Sequence, residues 1–369
     1  MPTLRLLCDP DFPQHVAQWL AEVSPDTLSK HLGQGDWAVH VVCDPVSAGR
    51  SSGKQMLQAV HKQREQAGWD YAVCLTDLPL RVDRRPVLAD IDEDSAVGLI
   101  SLPALGILQP YRRAGQMLVQ LLDEITGATD QAREKPHTQR RRGIHSRLTN
   151  VLAPIKRETP EQDEIDVRYR ATRRRGRVRL LSGMVRTNSP WRLVLGMRRA
   201  LAAAIATSAF GLSSSTIWMI SHALEPSHQA LAAVASIAVL VGWLITAHSL
   251  WEQPGQTSDR ELQRLYNIST VSTLTIGVSC FYLALFVINL GLASFLVPTG
   301  LLVSTLSNPV TIGTYFSLAW GFTTMGVVAG ALGSSLETDH AVRQAAYGYR
   351  ESQRRRNQQQ SHTSDASTT

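Results

Sequence analysis

The chain has 369 residues, a formal net charge of +6 at pH 7 and a mean hydropathy of −0.08. This average hides two different halves, because the first 199 residues are charged and mixed, whereas only a handful of charged residues occur from Ala200 to Leu336. The four cysteines lack the CxxC spacing of a zinc or redox motif, and the N-terminus lacks the apolar core of a signal peptide, so we expect reduced thiols and a cytosolic first domain.

Residues 1–126 alternate short apolar runs with helical patterns. Alternation of this kind predicts a cytosolic α/β domain in which helices cover the faces of a mostly parallel sheet. Strands are predicted at Leu4–Leu7, Trp37–Cys43, Tyr71–Leu75, Val87–Ala89 and Val97–Ser101. Helices are predicted at Pro13–Leu32, with an interruption at Ser24-Pro25, and at Ser52–Ala67 and Arg112–Ile125.

Three carboxylates are predicted near the C-terminal ends of strands, at Asp9, Asp44 and Asp77. Open α/β sheets bind ligands at that edge, so these aspartates are the candidate ligand site of the domain. Asp before Pro is also a common cap of a following helix, and both interpretations stay open. The acidic run Asp90–Asp94 lacks the spacing of a calcium loop and is predicted to be a solvated turn.

Two segments come close to nucleotide-binding motifs without matching them. Gly33–Ala38 fits GxGxxA but precedes a strand, so its glycines cannot direct a helix N-terminus at a pyrophosphate. Gly49–Gln55 is one residue too short for a phosphate loop and has Gln where a magnesium-binding hydroxyl belongs. We therefore predict no cofactor, no metal ligand and no catalytic residue.

The stretch Cys74-Leu-Thr-Asp-Leu78, followed by Ala96–Leu102 and a helix, resembles the strands that precede the active-site helix of archaemetzincin-type zinc peptidases. That family uses HExxH and a further histidine, whereas no histidine occurs here between His61 and His137. The resemblance implies the scaffold without its metal site. The layout of the whole chain, with Ala-Tyr-Gly-Tyr-Arg350 after the last apolar segment, resembles four-helix membrane proteins of actinobacteria, a likeness that implies no activity.

Residues 127–189 are predicted to be a basic linker, because Arg140 to Arg199 holds seventeen Lys and Arg against five acids. Beside a membrane, such a polybasic segment is attracted to anionic headgroups by about 1 kcal/mol per basic residue. The helical spacing of apolar residues predicts that Arg177–Thr187 lies flat on the bilayer. A purely topological role is the alternative, and nucleic-acid binding is disfavoured. The expected headgroup contacts are Arg173, Arg174, Arg175, Arg177 and Arg179.

Residues 190–336 contain four segments that are apolar over the roughly 20 residues needed to cross a bilayer. The predicted spans are 201–224, 231–250, 271–297 and 312–332, and 337–369 is predicted to be a disordered tail. Gly326, Gly330 and Gly333 have the small-residue spacing of close helix packing. Lys and Arg flank the outer ends of the span pairs but are missing from the two loops inside them, which predicts cytosolic N- and C-termini in a plasma-membrane protein.

These patterns favour a membrane protein that anchors, scaffolds or regulates, with a cytosolic domain that binds a ligand, a protein partner or a second copy of the chain. One alternative is a membrane-tethered enzyme that uses the strand-end aspartates. A small channel or transporter is the second alternative, and the lack of charged residues inside the spans disfavours it.

Overall fold

The computed structural model describes residues 2–32, 36–44, 52–131, 155–160, 165–251, 260–307 and 309–334. The chain divides into two compact units, the first ending at Thr187 and the second beginning at Asn188. The predicted tail at 337–369 lies outside the described residues.

The first unit is built on an eight-stranded mixed sheet with the order β2-β1-β3-β6-β5-β8-β7, in which β4 pairs with β5. Strands β2, β1, β3 and β6 are parallel, whereas the pairs β6/β5, β5/β8, β8/β7 and β4/β5 are antiparallel. A mostly parallel sheet was therefore the wrong expectation, since half of this sheet is antiparallel. The strands are β1 Thr3–Cys8, β2 Ala38–Cys43, β3 Tyr71–Thr76, β4 Arg81–Val82, β5 Arg85–Asp92, β6 Val97–Ser101, β7 Ile155–Glu158 and β8 Val167–Ala171.

Helices cover both faces of the sheet. They are α1 Phe12–Leu32, α2 Gly53–Ala67, α3 Leu102–Leu105, α4 Pro110–Gln131 and α5 Arg173–Thr187. Helix α2 packs on the face that carries Leu7, Cys74 and Leu99. Helix α4 covers the other face, where Gly98 leaves room for Leu121. The five strands and three helices predicted in residues 1–126 are confirmed, with ends that shift by a few residues. The interruption predicted at Ser24-Pro25 is wrong, because α1 runs through Pro25 without a break.

The range predicted as a linker contributes to the first unit. Its described residues include β7 and β8, which extend the sheet, and α5, which packs against α3 and β5. Close packing explains two glycines of α5, since Gly183 lies against the carbonyl of Pro103 and Gly176 against Pro86. The first unit thus ends at Thr187 and not at residue 126. The sequence did not indicate this boundary because the charged strand β8 has the composition of a loop.

The second unit is helical. Its helices are α6 Arg192–Gly196, α7 Arg198–Leu212, α8 Ser215–Ala223, α9 Pro226–Ala247, α10 Arg260–Leu296, α11 Thr299–Leu306 and α12 Ile312–Ser334. Among the described helices, α9, α10 and α12 are long and apolar enough to cross a membrane, and the number rises to four if the bent pair Arg173–Gly196 and Arg198–Leu212 forms one span. The helix predicted over 201–224 is broken at Ser213 and Ser214, which separate α7 from α8.

Helix α7 lies along α12 and α8 continues beside it. Gly326 of α12 faces Ser208 and Ala204 of α7, and Gly333, at the C-terminal end of α12, faces Ala203 of α7. Beyond the break, Ser221 of α8 reaches Ser317, whose hydroxyl donates to the Ser221 carbonyl at 2.5 Å. The three glycines expected at a helix contact, Gly326, Gly330 and Gly333, all lie against α7.

Polar groups are buried between the helices of the second unit. Asn289 of α10 is fully buried, and its Nδ2 donates to Ser208 Oγ of α7 at 3.1 Å and to Thr323 Oγ1 of α12 at 3.0 Å. Large apolar side chains point outwards, including Leu231, Phe295 and Ile312, which are 66%, 88% and 78% exposed. The second unit therefore buries several polar side chains within an apolar core, and its outer surface is largely apolar.

Candidate functional site

The strand order creates a switch point between β1 and β3. From β1 the chain passes to β2 on one side and then to β3 on the other, and the carboxyl ends of strands at such a point are where open α/β sheets bind ligands. Asp9 follows β1 and lies level with Asp44 and Thr76, because Cys8 pairs with Cys43 and with Leu75. The next strand places Ser101 beside Thr76. Four polar side chains thus form the last row of the parallel half: Asp44, Asp9, Thr76 and Ser101.

Asp9 is the buried member of this row, with 3% of its surface exposed. Its Oδ2 accepts a hydrogen bond of 2.8 Å from Thr76 Oγ1, and its backbone N–H donates to the Leu75 carbonyl. The turn after β3 is held by the same row, since Leu78 N donates to Thr76 Oγ1 and Ser101 Oγ donates to the Leu78 carbonyl at 2.7 Å. The Asp9 carboxylate therefore ties β1 to β3 and to the turn beyond it.

The other two predicted aspartates directly follow β2 and β3. Asp44 accepts a hydrogen bond from Gln63 Nε2 of α2, and Asp77 is half-buried one residue beyond β3. Within the described part of the chain, no group of three or more His, Cys, Asp or Glu side chains is arranged to hold a metal ion. The edge brings Asp9 and Asp44 level, but it does not gather the three carboxylates into a cation site.

Two cysteines lie side by side at this edge. Cys8 is buried and pairs in register with Cys43, which is exposed, and both are free thiols. Burial raises the pKa of the Cys8 thiol to about 12, helped by the neighbouring Cys43 and Asp9. Because the thiolate is the nucleophile, Cys8 is chemically inert at neutral pH.

A buried ion pair lies beneath the first turn of α2. Arg168 of β8 donates from Nε to Asp90 Oδ1 at 2.7 Å, so Asp90 is not part of a solvated turn as predicted. A Cβ atom at Gly53 would lie 2.8 Å from Asp90 Oδ2, so the carboxylate occupies the N-terminal end of α2. Ser52 caps the helix by accepting from Gln55 N. In the segment Gly49–Gln55, the residues that the structure describes are therefore next to the Asp90 carboxylate. Its negative charge opposes phosphate binding there.

A second buried network holds β7 and β8 to α4. Arg157 forms a two-pronged ion pair with Glu124, with N–O distances of 3.2 and 3.1 Å. Tyr169 donates to Glu124 Oε1 at 2.9 Å and accepts from Gln120 Nε2. Burial and the adjacent Glu124 charge raise the pKa of the Tyr169 hydroxyl. These contacts stabilise the antiparallel half of the sheet and leave the tyrosine neutral.

The arginines of α5 fall into two environments. Arg173, Arg174 and Arg175 are exposed, as a headgroup-binding role requires. Arg179 instead donates from Nε to the Ala104 carbonyl at 2.6 Å, and burial together with Arg113 lowers its pKa to about 10. Arg179 therefore belongs to the packing of α5 on α3, contrary to its predicted lipid contact.

Sequence reasoning missed the two buried charge networks because three of their members lie in the supposed linker. The signal was present in β8, where Val167, Tyr169 and Ala171 alternate with arginines as in a strand with one apolar face. Comparison with protein-family models, with curated proteins and with solved structures found no match to this chain.

Proposed function

We propose that this protein is a multi-pass membrane protein whose second unit anchors a cytosolic α/β domain that binds a ligand or partner, in an anchoring, scaffolding or regulatory role. The observation that carries the proposal is the large apolar outer surface of the second unit. Only 28% of the most apolar window of α9 is buried within the protein. In water such a surface would be a large aggregation-prone patch, whereas lipid tails cover it without cost.

The buried polar contacts support the same environment. In lipid, helices are held together by close packing of small residues and by hydrogen bonds between polar side chains. Gly326 against Ser208 and the Asn289 amide between two hydroxyls are contacts of these two kinds. A soluble bundle would instead have a polar outer surface.

Four crossings fit the helices if α7 and α8 together form one broken span. Their 15 and 9 residues amount to about 36 Å at 1.5 Å per residue, against a hydrocarbon core of about 30 Å. Both helices accompany α12 from Gly333 to Ser317. A membrane that contains α12 would then also contain α7 and α8.

The orientation follows from the charges at the helix ends. Arg198 and Arg199 begin α7, and Arg260 begins α10, whereas the exposed turn between α8 and α9 carries Glu225 and His228 but no Lys or Arg. Because basic residues are retained in the cytosol, these charges support a plasma-membrane orientation with both termini in the cytosol and the turn outside. The α/β domain would then face the cytosol, with Asp9, Thr76 and Ser101 at its ligand-binding edge and the exposed arginines of α5 available to anionic headgroups.

Cysteine accessibility tests this arrangement. The four native cysteines are replaced by alanine, and single cysteines are introduced as Ser227→Cys in the α8–α9 turn and as Gly255→Cys, outside the described residues. In intact cells, an impermeant maleimide should label Ser227→Cys, and should label Gly255→Cys only after permeabilisation. Both variants should remain in the membrane pellet after alkaline carbonate extraction. Reversed labelling would refute the orientation, and release by carbonate would refute membrane insertion.

A further inference from the structure

The first unit contains a small basic pocket between the antiparallel strands and the start of α5. Its volume is about 130 Å³, which is room for several water molecules. Four of its side chains are basic and one is acidic, so its local charge is +3. The lining residues are Arg85, Lys156, Glu158, Arg170, Ala171, Thr172 and Arg173.

The strand register forces two of these cations together. Lys156 of β7 is the direct partner of Arg170 of β8, and like charges in directly opposed positions of an antiparallel pair repel. Glu158 partly offsets them, with its carboxylate 2.8 Å from Arg170 Nη1 and 3.7 Å from Arg85 Nη1. Within the described residues, Lys156 makes no ion pair of its own, so the excess positive charge remains in the pocket.

Two buried polar atoms of the lining have no partner among the residues that the structure describes. Arg170 is 12% exposed and uses Nη1 for Glu158 and Nη2 for Asp83, while its Nε is buried without an acceptor. The Thr172 hydroxyl is also buried without a hydrogen bond. Buried donors without acceptors are costly, so they point to a ligand that supplies oxygen atoms.

The surrounding structure adds positive potential. Thr172 and Arg173 lie at the N-terminus of the 15-residue helix α5, whose first-turn amides have no acceptor within the helix. Partial burial and the neighbouring guanidinium groups of Arg81, Arg173 and Arg84 lower the pKa of Arg177. Cations therefore crowd this end of the unit, and an anion bound there would relieve their repulsion.

We propose that this pocket binds the phosphate group of a phosphate monoester, either a soluble phosphorylated molecule or the headgroup of a lipid. A tetrahedral group with several charged oxygens can accept from the Arg170 Nε, the Thr172 hydroxyl, Lys156 and Arg173 at once, which a single carboxylate cannot. The inference goes beyond the proposed function by naming a ligand chemistry at a second place in the domain. All its residues lie in the first unit, so it holds whether or not the second unit crosses a membrane.

The test compares two charge-matched double variants of the full-length protein in neutral detergent. Lys156→Gln with Arg173→Gln removes two cations of the pocket, and Arg174→Gln with Arg175→Gln removes two exposed arginines outside its lining. Binding is measured by calorimetry with three probes: inorganic phosphate, short-chain phosphatidic acid, which is a monoester, and short-chain phosphatidylglycerol, which is a diester. Thermal unfolding without probe verifies that each variant is folded.

The wild type is expected to bind a phosphate monoester, and the pocket variant to bind it about tenfold or more weakly, because two charge-assisted hydrogen bonds are lost. The control variant should differ from the wild type by less than about twofold, since its arginines are exposed to solvent screening and do not line the pocket. Binding of inorganic phosphate identifies a soluble ligand, and binding of phosphatidic acid alone identifies a lipid. The proposal is overturned if neither inorganic phosphate nor phosphatidic acid binds, or if both variants lose affinity equally. It is also overturned if the diester phosphatidylglycerol binds as well as the monoester.

Discussion

Arg168 Nε donates to Asp90 Oδ1 at 2.7 Å, and Arg168 Nη2 donates to Asp90 Oδ2 at 3.3 Å, which joins two strands through residues 78 positions apart. The two side chains are only 5% and 2% exposed. A buried charge is tolerated when its partner is present and is strongly destabilising when the partner is removed. The stability of the first unit therefore requires Arg168 of β8 as well as Asp90 of β5.

The boundary of the folding unit is the first testable consequence. A fragment of residues 1–187 should unfold cooperatively on heating, because it contains the whole sheet and both buried ion pairs. A fragment of residues 1–126 should not, since it lacks Arg168 and Arg157, which pair with Asp90 and Glu124. Circular dichroism during thermal melting distinguishes the two. Cooperative melting of the shorter fragment would show that the charge networks are dispensable.

A double-mutant cycle in the 1–187 fragment measures the Asp90–Arg168 pair. Arg168→Met and Asp90→Leu should each lower the free energy of unfolding by about 3–5 kcal/mol, because each leaves one buried charge alone. The double variant should be more stable than either single variant, since no charge is then buried. Arg174→Met on exposed α5 is the control and should be nearly neutral. Additive losses in urea titrations would contradict the pairing.

Glycine substitutions test the packing of the second unit in detergent. Gly326→Ala places a methyl group 2.8 Å from Ser208 Oγ and 3.0 Å from the Ala204 carbonyl, and should lower the melting temperature of the purified protein. Gly291→Ala on α10 is the matched control, because nothing lies within 4 Å of the added atom. Alanine is the better helix former, so the control should be neutral or slightly stabilising. Equal losses from both would exclude close packing at Gly326.

Thiol reactivity distinguishes the paired cysteines of the 1–187 fragment. At pH 8 the exposed Cys43 should react with an aromatic disulfide reagent, while Cys8, with its pKa raised to about 12, should react only after unfolding. A Cys43→Ser variant should therefore lose the fast phase. Fast labelling of Cys8 in that variant would contradict its burial.

The raised pKa of Cys8 also predicts that the free energy of unfolding depends on pH. The folded pKa of Cys8 lies above its unfolded value, so its stabilising contribution is complete below about pH 8.5 and is lost as the pH rises towards 12. The raised pKa of Tyr169 acts in the same direction. Urea titrations from pH 8 to pH 11 should show falling stability, with a shallower fall in Cys8→Ala. An unchanged slope would assign the alkaline loss to other groups.

Asp9 offers a separate test of the strand-end edge. Asp9→Asn should cost little stability, since the amide oxygen can still accept from Thr76, whereas Asp9→Leu leaves the Thr76 hydroxyl without this acceptor and should cost about 1–3 kcal/mol. Because no three His, Cys, Asp or Glu side chains of the described residues are grouped to hold a metal ion, magnesium, calcium and manganese should not raise the melting temperature of the fragment. Stabilisation of the wild type by a cation, lost in an Asp9, Asp44 and Asp77 triple Asn variant, would establish the cation site instead.

The sequence predicted strands and helices correctly where the spacing of apolar residues followed a single period without interruption. The strands around Leu4–Leu7 and Val97–Ser101 and the apolar helices α9, α10 and α12 were predicted because their residues repeat at strand or helix spacing. The break at Ser213 and Ser214 was not visible in the sequence, because serine is accepted inside apolar helices.

The candidate sites were harder to predict because pairing between distant segments decides them. Asp9 was identified from its position after a strand, but its hydrogen bond to Thr76 depends on β3 lying beside β1. The basic pocket was hidden, since Lys156 and Arg170 look like ordinary linker charges until the β7–β8 register places them opposite each other. Composition indicated positive charge in this range, and only the fold distinguishes the arginines that are packed from those that are exposed.

The sheet order also governs how the chain is made. Strand β5 lies between β6, which follows it directly, and β8, which contains Arg168. At a synthesis rate of about 5–20 residues per second, the 78 positions between Asp90 and Arg168 take roughly 4–16 s to translate. During that interval the nascent domain carries an open sheet edge at β5 and cannot complete its core. Until β8 emerges, that open edge is a place where the nascent chain can pair with the wrong strand.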